Sequence, residues 1–175
     1  FFGKRILRNP RKVGHIGKVT KGMFKVSDLV TLCVDETNRL NTCKNHSATH
    51  LLNQSLRVVL GAHVVQQGSL VSDERLRFDF NHYQNLTDEE ILKIESLVNE
   101  AINKGYVVNT ILTSIEEAKK AGAQALFGEK YGDVVRFVDM DYSKELCGGT
   151  HVSNTKEISK LAVLSVESKG SGIFR

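Results

Sequence analysis

Apolar positions along this chain change period several times, and each change marks an element. Over residues 45–60, Ala48, Leu51, Leu52, Ser55, Leu56 and Val59 form one stripe at helical spacing. Asn45 suits the N-cap of that helix and Gly61 its stop. His46, His50, Asn53 and Arg57 fall on the opposite side, which predicts imidazoles facing away from the core, toward a cleft. Residues 62–71 and 75–80 then read as a hairpin across Ser72-Asp73-Glu74. Its second strand alternates, with Leu76, Phe78 and Phe80 on one face and Arg75, Arg77 and Asp79 on the other. Thr87-Asp88-Glu89-Glu90 matches a capping box. Ile91, Ile94, Val98, Ala101 and Ile102 carry the apolar face of a helix ending near Gly105. A strand over 106–112 follows. A second capping box at Ser114-Ile115-Glu116-Glu117 then opens a short helix ending near Gly122, and strands over 134–140 and 161–166 complete the pattern.

Ahead of the first helix, short apolar runs over 14–19 and 28–35 are bounded by Gly, Asp and Asn and predict strands and turns. Residues 1–42 hold too few strands for a closed barrel, so they read as part of a small β-barrel behind a basic N-terminal arm. Residues 43–175 form the second domain. Strands and helices mix without strict alternation, which predicts an α+β fold with helices packed on a largely antiparallel sheet.

Composition narrows the class. The 175 residues are 41% hydrophobic and 25% charged, ordinary for a globular chain, and no apolar run is long enough to span a bilayer. No membrane partner is expected. Cys33, Cys43 and Cys147 are odd in number and unevenly spaced, which argues against a disulfide framework and for a reducing, cytoplasmic setting. The chain opens on Phe rather than Met, so a piece of a longer protein is expected. Charge is one-sided: Lys4, Arg5, Arg8, Arg11, Lys12, Lys18, Lys21 and Lys25 all precede the first acid, Asp28. Such a block favours a polyanion, with RNA phosphates the obvious candidate.

The strongest chemical signal is a pair of pairs. His46 and His50 are four residues apart, about one helical turn, and Cys147 and His151 bracket Gly148-Gly149-Thr150. Three imidazoles and one thiolate suit zinc. A helix start disfavours protonated histidine there and favours neutral ligands. A zinc protease of the H-E-x-x-H kind is excluded, because Ser47 stands where that chemistry needs glutamate.

Five runs resemble the editing region of alanyl-tRNA synthetases: Asn45-His46-Ser47-Ala48-Thr49-His50-Leu51-Leu52; Gly61-x-His63-Val64-x-Gln66-x-Gly68-Ser69; Leu76-Arg77-Phe78-Asp79-Phe80; Ala125-Leu126-Phe127-Gly128-Glu129-Lys130-Tyr131-Gly132; and Glu145-Leu146-Cys147-Gly148-Gly149-Thr150-His151. The likeness covers roughly residues 13–175. Threonyl-tRNA synthetase editing domains and free-standing alanyl editing proteins share the H-x-x-x-H and C-x-x-x-H frame. The resemblance implies a Zn²⁺ site at His46, His50, Cys147 and His151, and hydrolysis of Ser-tRNA(Ala) and Gly-tRNA(Ala) with Ala-tRNA(Ala) spared. Its partners would be the tRNA(Ala) acceptor end and the rest of the synthetase chain. ATP would serve only an aminoacylation core, whose motifs are not found here. Gln66 matches the position of amino-acid discrimination, and Ser69, Arg77 and Asp79 are candidates for the same cleft. Gly148, Gly149 and Thr150, with the helix start near His46, are candidates for the oxyanion site; glycine suits the loop by permitting positive φ and close approach. Four protein ligands usually mark a structural zinc. Either one ligand, His46 or Cys147, yields to water or substrate, or the metal orients the tRNA end. The alternatives are a non-catalytic tRNA-binding module with a structural zinc, and a threonyl-type editing domain.

Overall fold

The computed structural model describes the backbone of residues 2–9, 12–124 and 132–175, and side chains within those ranges from residue 14 onward. The motif over 125–131 lies outside the described residues. Two compact units divide the chain, residues Phe1–Val34 and Asp35–Arg175.

In the first unit, β1 (Phe2–Asn9) and β2 (Lys12–Lys18) form an antiparallel hairpin. The expected strand over 28–35 is absent; residues 19–34 carry no helix or strand, and Val26 and Leu29 stand fully exposed with no sheet to join. No closed barrel forms among the described residues.

The second unit opens with α1 (Glu36–Leu60), nine residues earlier than the sequence pattern predicts. Asp35 is the cap, its carboxylate accepting the Asn38 N–H at 3.0 Å. Asn45 instead sits mid-helix and donates its amide to the Ser72 carbonyl at 2.9 Å. The misreading has a physical cause: Asn38, Thr42 and Asn45 resemble cap and turn residues. Thr42 and Thr49 instead back-bond to the Asn38 and Asn45 carbonyls, at 2.7 and 2.8 Å, and stay helical.

β3 (Gln66–Val71) and β4 (Leu76–Asn81) form the expected hairpin, with Phe78 and Phe80 buried. α2 (Asp88–Lys104) keeps its full Thr87/Glu90 capping box and ends on left-handed Gly105 (φ 71°, ψ 49°). β5 (Asn109–Ser114) starts late because Tyr106 and Val108 are held by Thr155 and Ser153. Ser114 caps α3 (Ile115–Lys120), although Glu117 answers Thr113 rather than completing a box. β6 (Val134–Asp139) and β7 (Lys144–Leu146) follow, then a 3-10 turn at Thr155–Ile158, β8 (Ser168–Gly170) and β9 (Ile173–Phe174). The expected strand over 161–166 is not paired into any sheet. Leu161 and Val163 are tied instead to Asn99 and Glu95 of α2.

The strands of this unit form two antiparallel sheets, β3-β4-β9-β8 and β5-β6-β7, with α1 against α2 between them. One core cluster joins Leu51 of α1, Val98 and Ile102 of α2, Val138 of β6 and Met140 just beyond it. Another joins Leu56, Ile94, Phe78, Phe80 and Phe174. The α+β architecture is therefore the expected one, built on two sheets instead of one.

Candidate metal centre

Two covalently distant elements meet here. The middle of α1 presents His46 and His50 one turn apart. The β6–β7 hairpin delivers Cys147 from the end of β7, its N–H bonded to the Arg136 carbonyl at 3.0 Å. The ligand atoms of His46, His50, Cys147 and His151 all lie within 4.8 Å of one another. Cys147 Sγ is 3.4 Å from His46 Nε2. Tetrahedral zinc with ordinary bond lengths spaces its ligands about 3.3–3.6 Å apart, so the cluster needs only small contraction to hold such an ion. His46 stacks on His151 with centroids 4.3 Å apart, and His50 meets both rings edge-on.

Each imidazole is oriented from behind. His46 Nδ1–H donates to the Thr150 carbonyl at 3.0 Å. His151 Nδ1 is 3.1 Å from Ser47 Oγ, which also accepts the Val152 N–H at 3.2 Å. His50 Nδ1 lies 3.2 Å from Glu145 Oε2, off the line of a good hydrogen bond. The other Glu145 oxygen accepts from the Asn53 amide at 2.9 Å and Ser143 Oγ at 3.2 Å. With Nδ1 of His46 and His151 so engaged and Nδ1 of His50 turned toward Glu145, Nε2 of each ring is left for the cluster. His151 Nε2 is buried with no partner, an orphan that a bound cation would satisfy.

Burial sets the charge state. Desolvation above all, then repulsion from neighbouring histidines and Arg136, pushes His50 down to about 3 and His151 down to about 2; His46 is lowered by the same leading cause. The three rings are neutral at pH 7, as metal ligands must be. The His50–Glu145 contact is therefore no ion pair, and burial lifts Glu145 to about 7. Burial also raises the Cys147 thiol against the lowering effect of the Gly149 N–H, so a cation must displace that proton on binding.

Of the two expected uses of glycine in this loop, close approach is the one present. Neither Gly148 nor Gly149 has positive φ. Gly149 is needed for close approach, since a Cβ there would sit 2.0 Å from His46 Cε1, whereas one on Gly148 would meet nothing within 4 Å. Arg136 secures the loop by donating to the Cys147 carbonyl at 2.9 Å and to the Gly149 carbonyl. The α1 N-terminus does not contribute, because His46 lies ten residues inside the helix. The expected open face is also largely closed. His50 and Asn53 are buried, and the other two imidazoles of the cluster, His46 and His151, are half-buried.

The four pocket candidates fall on two faces of the β3–β4 hairpin. Gln66 and Ser69 are in register with Phe80 and Phe78, and Gln66 Nε2 donates to Ser69 Oγ at 3.3 Å. Arg77 and Asp79 alternate onto the other face. There Asp79 takes a bidentate pair from Arg175 at 2.8 and 3.0 Å, and Arg77 lies 3.5 Å away. No hydrogen bond or ion pair among the described residues links either group to the His/Cys cluster. Thr150 contributes its carbonyl, while its side chain is exposed. Sequence reasoning missed Ser47, Glu145, Asn53 and Arg136 as supports; their partners lie about a hundred residues away or on another strand, and no local spacing announces them.

A histidine/cysteine tetrad on such an α+β frame defines a domain equipped to hold a metal. The family described as "Threonyl and Alanyl tRNA synthetase second additional domain" matches residues 135–175, which carry Cys147 and His151. Full-chain relatives resolve the branch. "Alanine--tRNA ligase 1" of Lachnoclostridium phytofermentans is 58% identical over 165 residues, 94% of this chain and 19% of that protein. "Alanine--tRNA ligase" of Carboxydothermus hydrogenoformans is 53% identical over 162 residues, 92% of this chain and 18% of that protein. The Francisella philomiragia enzyme is 49% identical over 176 residues, 100% of this chain and 20% of that protein. Over nearly all of its length the chain is similar to one segment of these alanine--tRNA ligases, and it spans about a fifth of the length of these curated relatives.

Proposed function

We propose that this chain hydrolyses the ester of mischarged tRNA(Ala), releasing serine or glycine and sparing alanine, at a zinc site held by His46, His50, Cys147 and His151. The observation that carries the reading is the convergence of those four ligand atoms within 4.8 Å in a chain similar to alanine--tRNA ligases. Zinc there supplies Lewis acidity toward an ester carbonyl. The chain's own residues supply orientation and selection. Ser47 and Glu145 fix His151 and His50 from behind, and half-buried His46, beside exposed Gly148 and Thr150, is the side from which the acceptor end of tRNA(Ala) approaches. Backbone N–H groups of Gly148 and Thr150 in this turn are the proposed oxyanion donors, the Gly149 N–H being directed at Cys147 Sγ at 3.4 Å. With its amide on Ser69, Gln66 keeps a carbonyl oxygen to accept a seryl hydroxyl. Alanine would leave that oxygen unpaired, the kind of mismatch that discriminates by about 10⁴-fold. Arg77 and Asp79, on the opposite face, are proposed to steady the hairpin beneath the substrate. The setting is the cytoplasm, the partner beyond tRNA is the rest of a synthetase chain, and ATP belongs to an aminoacylation core elsewhere in it.

Deacylation of Ser-tRNA(Ala) and Ala-tRNA(Ala) by metal-analysed protein tests this. Serine release that tracks zinc content, lost with zinc in Cys147→Ala and altered in selectivity with zinc retained in Gln66→Ala, is the expected result. Equal binding of both tRNAs without turnover would show a binding module with a structural metal. Hydrolysis that follows a tRNA(Thr) body would show a threonyl-type activity.

A further inference from the structure

Just beyond β4 the chain places a large ring in solvent and then holds it still. Tyr83 is 80% exposed, yet its ring lies over that of His63, with centroids 4.4 Å apart and planes 22° apart. His63 Nε2 and His82 Nδ1 share a hydrogen at 2.9 Å. The His82 ring, 7% exposed, meets Phe174 edge-on at 6.2 Å. Three side chains thus run outward from the core cluster of Phe78, Phe80 and Phe174. One face of the phenol is covered by imidazole and the opposite face is open.

The backbone beneath this stack is fixed from both sides. Asn81 donates its amide to the His63 carbonyl at 3.0 Å and accepts the Val65 N–H at 2.6 Å. The His82 N–H donates to the Gly172 carbonyl at 2.9 Å. Gly61 leaves room for the His63 ring, since a Cβ there would stand 3.0 Å from Nδ1. Packing alone would be better served by an apolar ring at position 82, because His82 Nε2 is buried with no partner. What the imidazole adds is its hold on His63. A ring fixed in this way loses little freedom when something stacks on it.

Its place in the fold says what that partner is. His63 lies three residues ahead of Gln66, and Tyr83 lies three residues beyond Phe80, the register partner of Gln66. Three residues span no more than about 11 Å, so the stack stands at the Gln66 end of the hairpin. Arg57 brings a positive charge to the same turn, donating to the Val64 carbonyl at 2.7 Å. An open aromatic face beside a guanidinium suits a base and its phosphate. We propose that the open face of Tyr83 is a stacking platform for one unpaired nucleobase of bound tRNA. This rests on the tRNA-directed part of the hydrolytic reading and on none of its metal chemistry. Every base has a π-face, so the platform accepts any of them and holds the strand without reading its sequence.

The chain contains no tryptophan, so Tyr83→Trp puts a single fluorophore on the platform. Both tRNA(Ala) and octa-adenylate should quench it, and an abasic octamer carrying the same phosphates should not. Tyr83→Ala should bind tRNA(Ala) about 5–150-fold more weakly, the ordinary worth of one stacked base. That factor should be equal at low and high salt, because no phosphate contact is lost. Tyr83→Phe keeps the ring and should bind like the parent. Absence of quenching by tRNA(Ala), equal quenching by the abasic octamer, a salt-dependent factor, or equal losses in the Phe and Ala variants each overturn the proposal. Serine release from Ser-tRNA(Ala) without quenching removes the platform alone, whereas absence of both removes the hydrolytic reading with it.

Discussion

Gly149→Ala is the substitution from which this centre has most to lose. Its Cβ would stand 2.0 Å from His46 Cε1, 2.6 Å from Nδ1 and 3.2 Å from Nε2. Carbon atoms rest about 3.5–4.0 Å apart, so ring or loop must move by about 1.5 Å. Neither yields easily. His46 is tied to the Thr150 carbonyl at 3.0 Å, and the loop is tied through its Cys147 and Gly149 carbonyls to Arg136. Overpacking of this kind costs about 1–3 kcal/mol. Moving His46 by that distance also removes one of four ligands, and disturbing even a supporting contact of a metal ligand lowers affinity by about 10–100-fold. The expected result is a zinc affinity at least that much weaker, measured by competition with a chromogenic chelator. Gly148→Ala is the control: it has open space and ordinary φ, and should bind zinc like the parent. Equal affinity of Gly149→Ala and the parent would refute the account of how the loop cradles His46.

Three further outcomes follow from other contacts. Glu145→Ala leaves the buried Asn53 amide without its acceptor and His50 without its backing; zinc affinity should fall about 10–100-fold, read by the same competition, with secondary structure by circular dichroism unchanged. Thr155→Val keeps shape but removes a hydroxyl that donates to the Ala101 carbonyl at 3.0 Å and accepts the Tyr106 N–H at 2.9 Å. Stability should drop by about 1–3 kcal/mol in a denaturant titration, and an unshifted midpoint would discount that junction. Asp79 is held below 3.8 chiefly by its hydrogen bond from Arg175. A carboxylate depressed on folding contributes stability that is complete above the unfolded value of 3.8 and is lost as pH falls below it toward the folded value. Asp79→Asn should therefore flatten the acid limb of a stability–pH curve below 3.8 and leave its neutral-to-alkaline shape alone.

Much of this protein is written in local pattern. The Thr87 box and Gly105 stop of α2 rest on contacts three or four residues apart, and the inward face of β4 follows from a period of two, so both are legible along the chain. The candidate ligand set is legible too, because few pairs of histidines and cysteines fall at four-residue spacing beside a Gly-Gly turn. The start of α1 is less so. Asn45 can cap a helix, and only the distant Ser72 carbonyl that takes its amide reveals that it does not. The same holds for the site's environment. His50 reads as facing away from the core, toward a cleft, until β7 brings Glu145 against it, and only the His46 ring lying over Gly149 shows which of the two glycines the close approach requires. The donor chemistry of the four clustered side chains was thus determined by residue type and spacing. Their neutrality, their orientation and the depth of the centre were decided by tertiary contacts across about a hundred residues, because desolvation and hydrogen-bond geometry exist only once the second half of the chain has packed against the first.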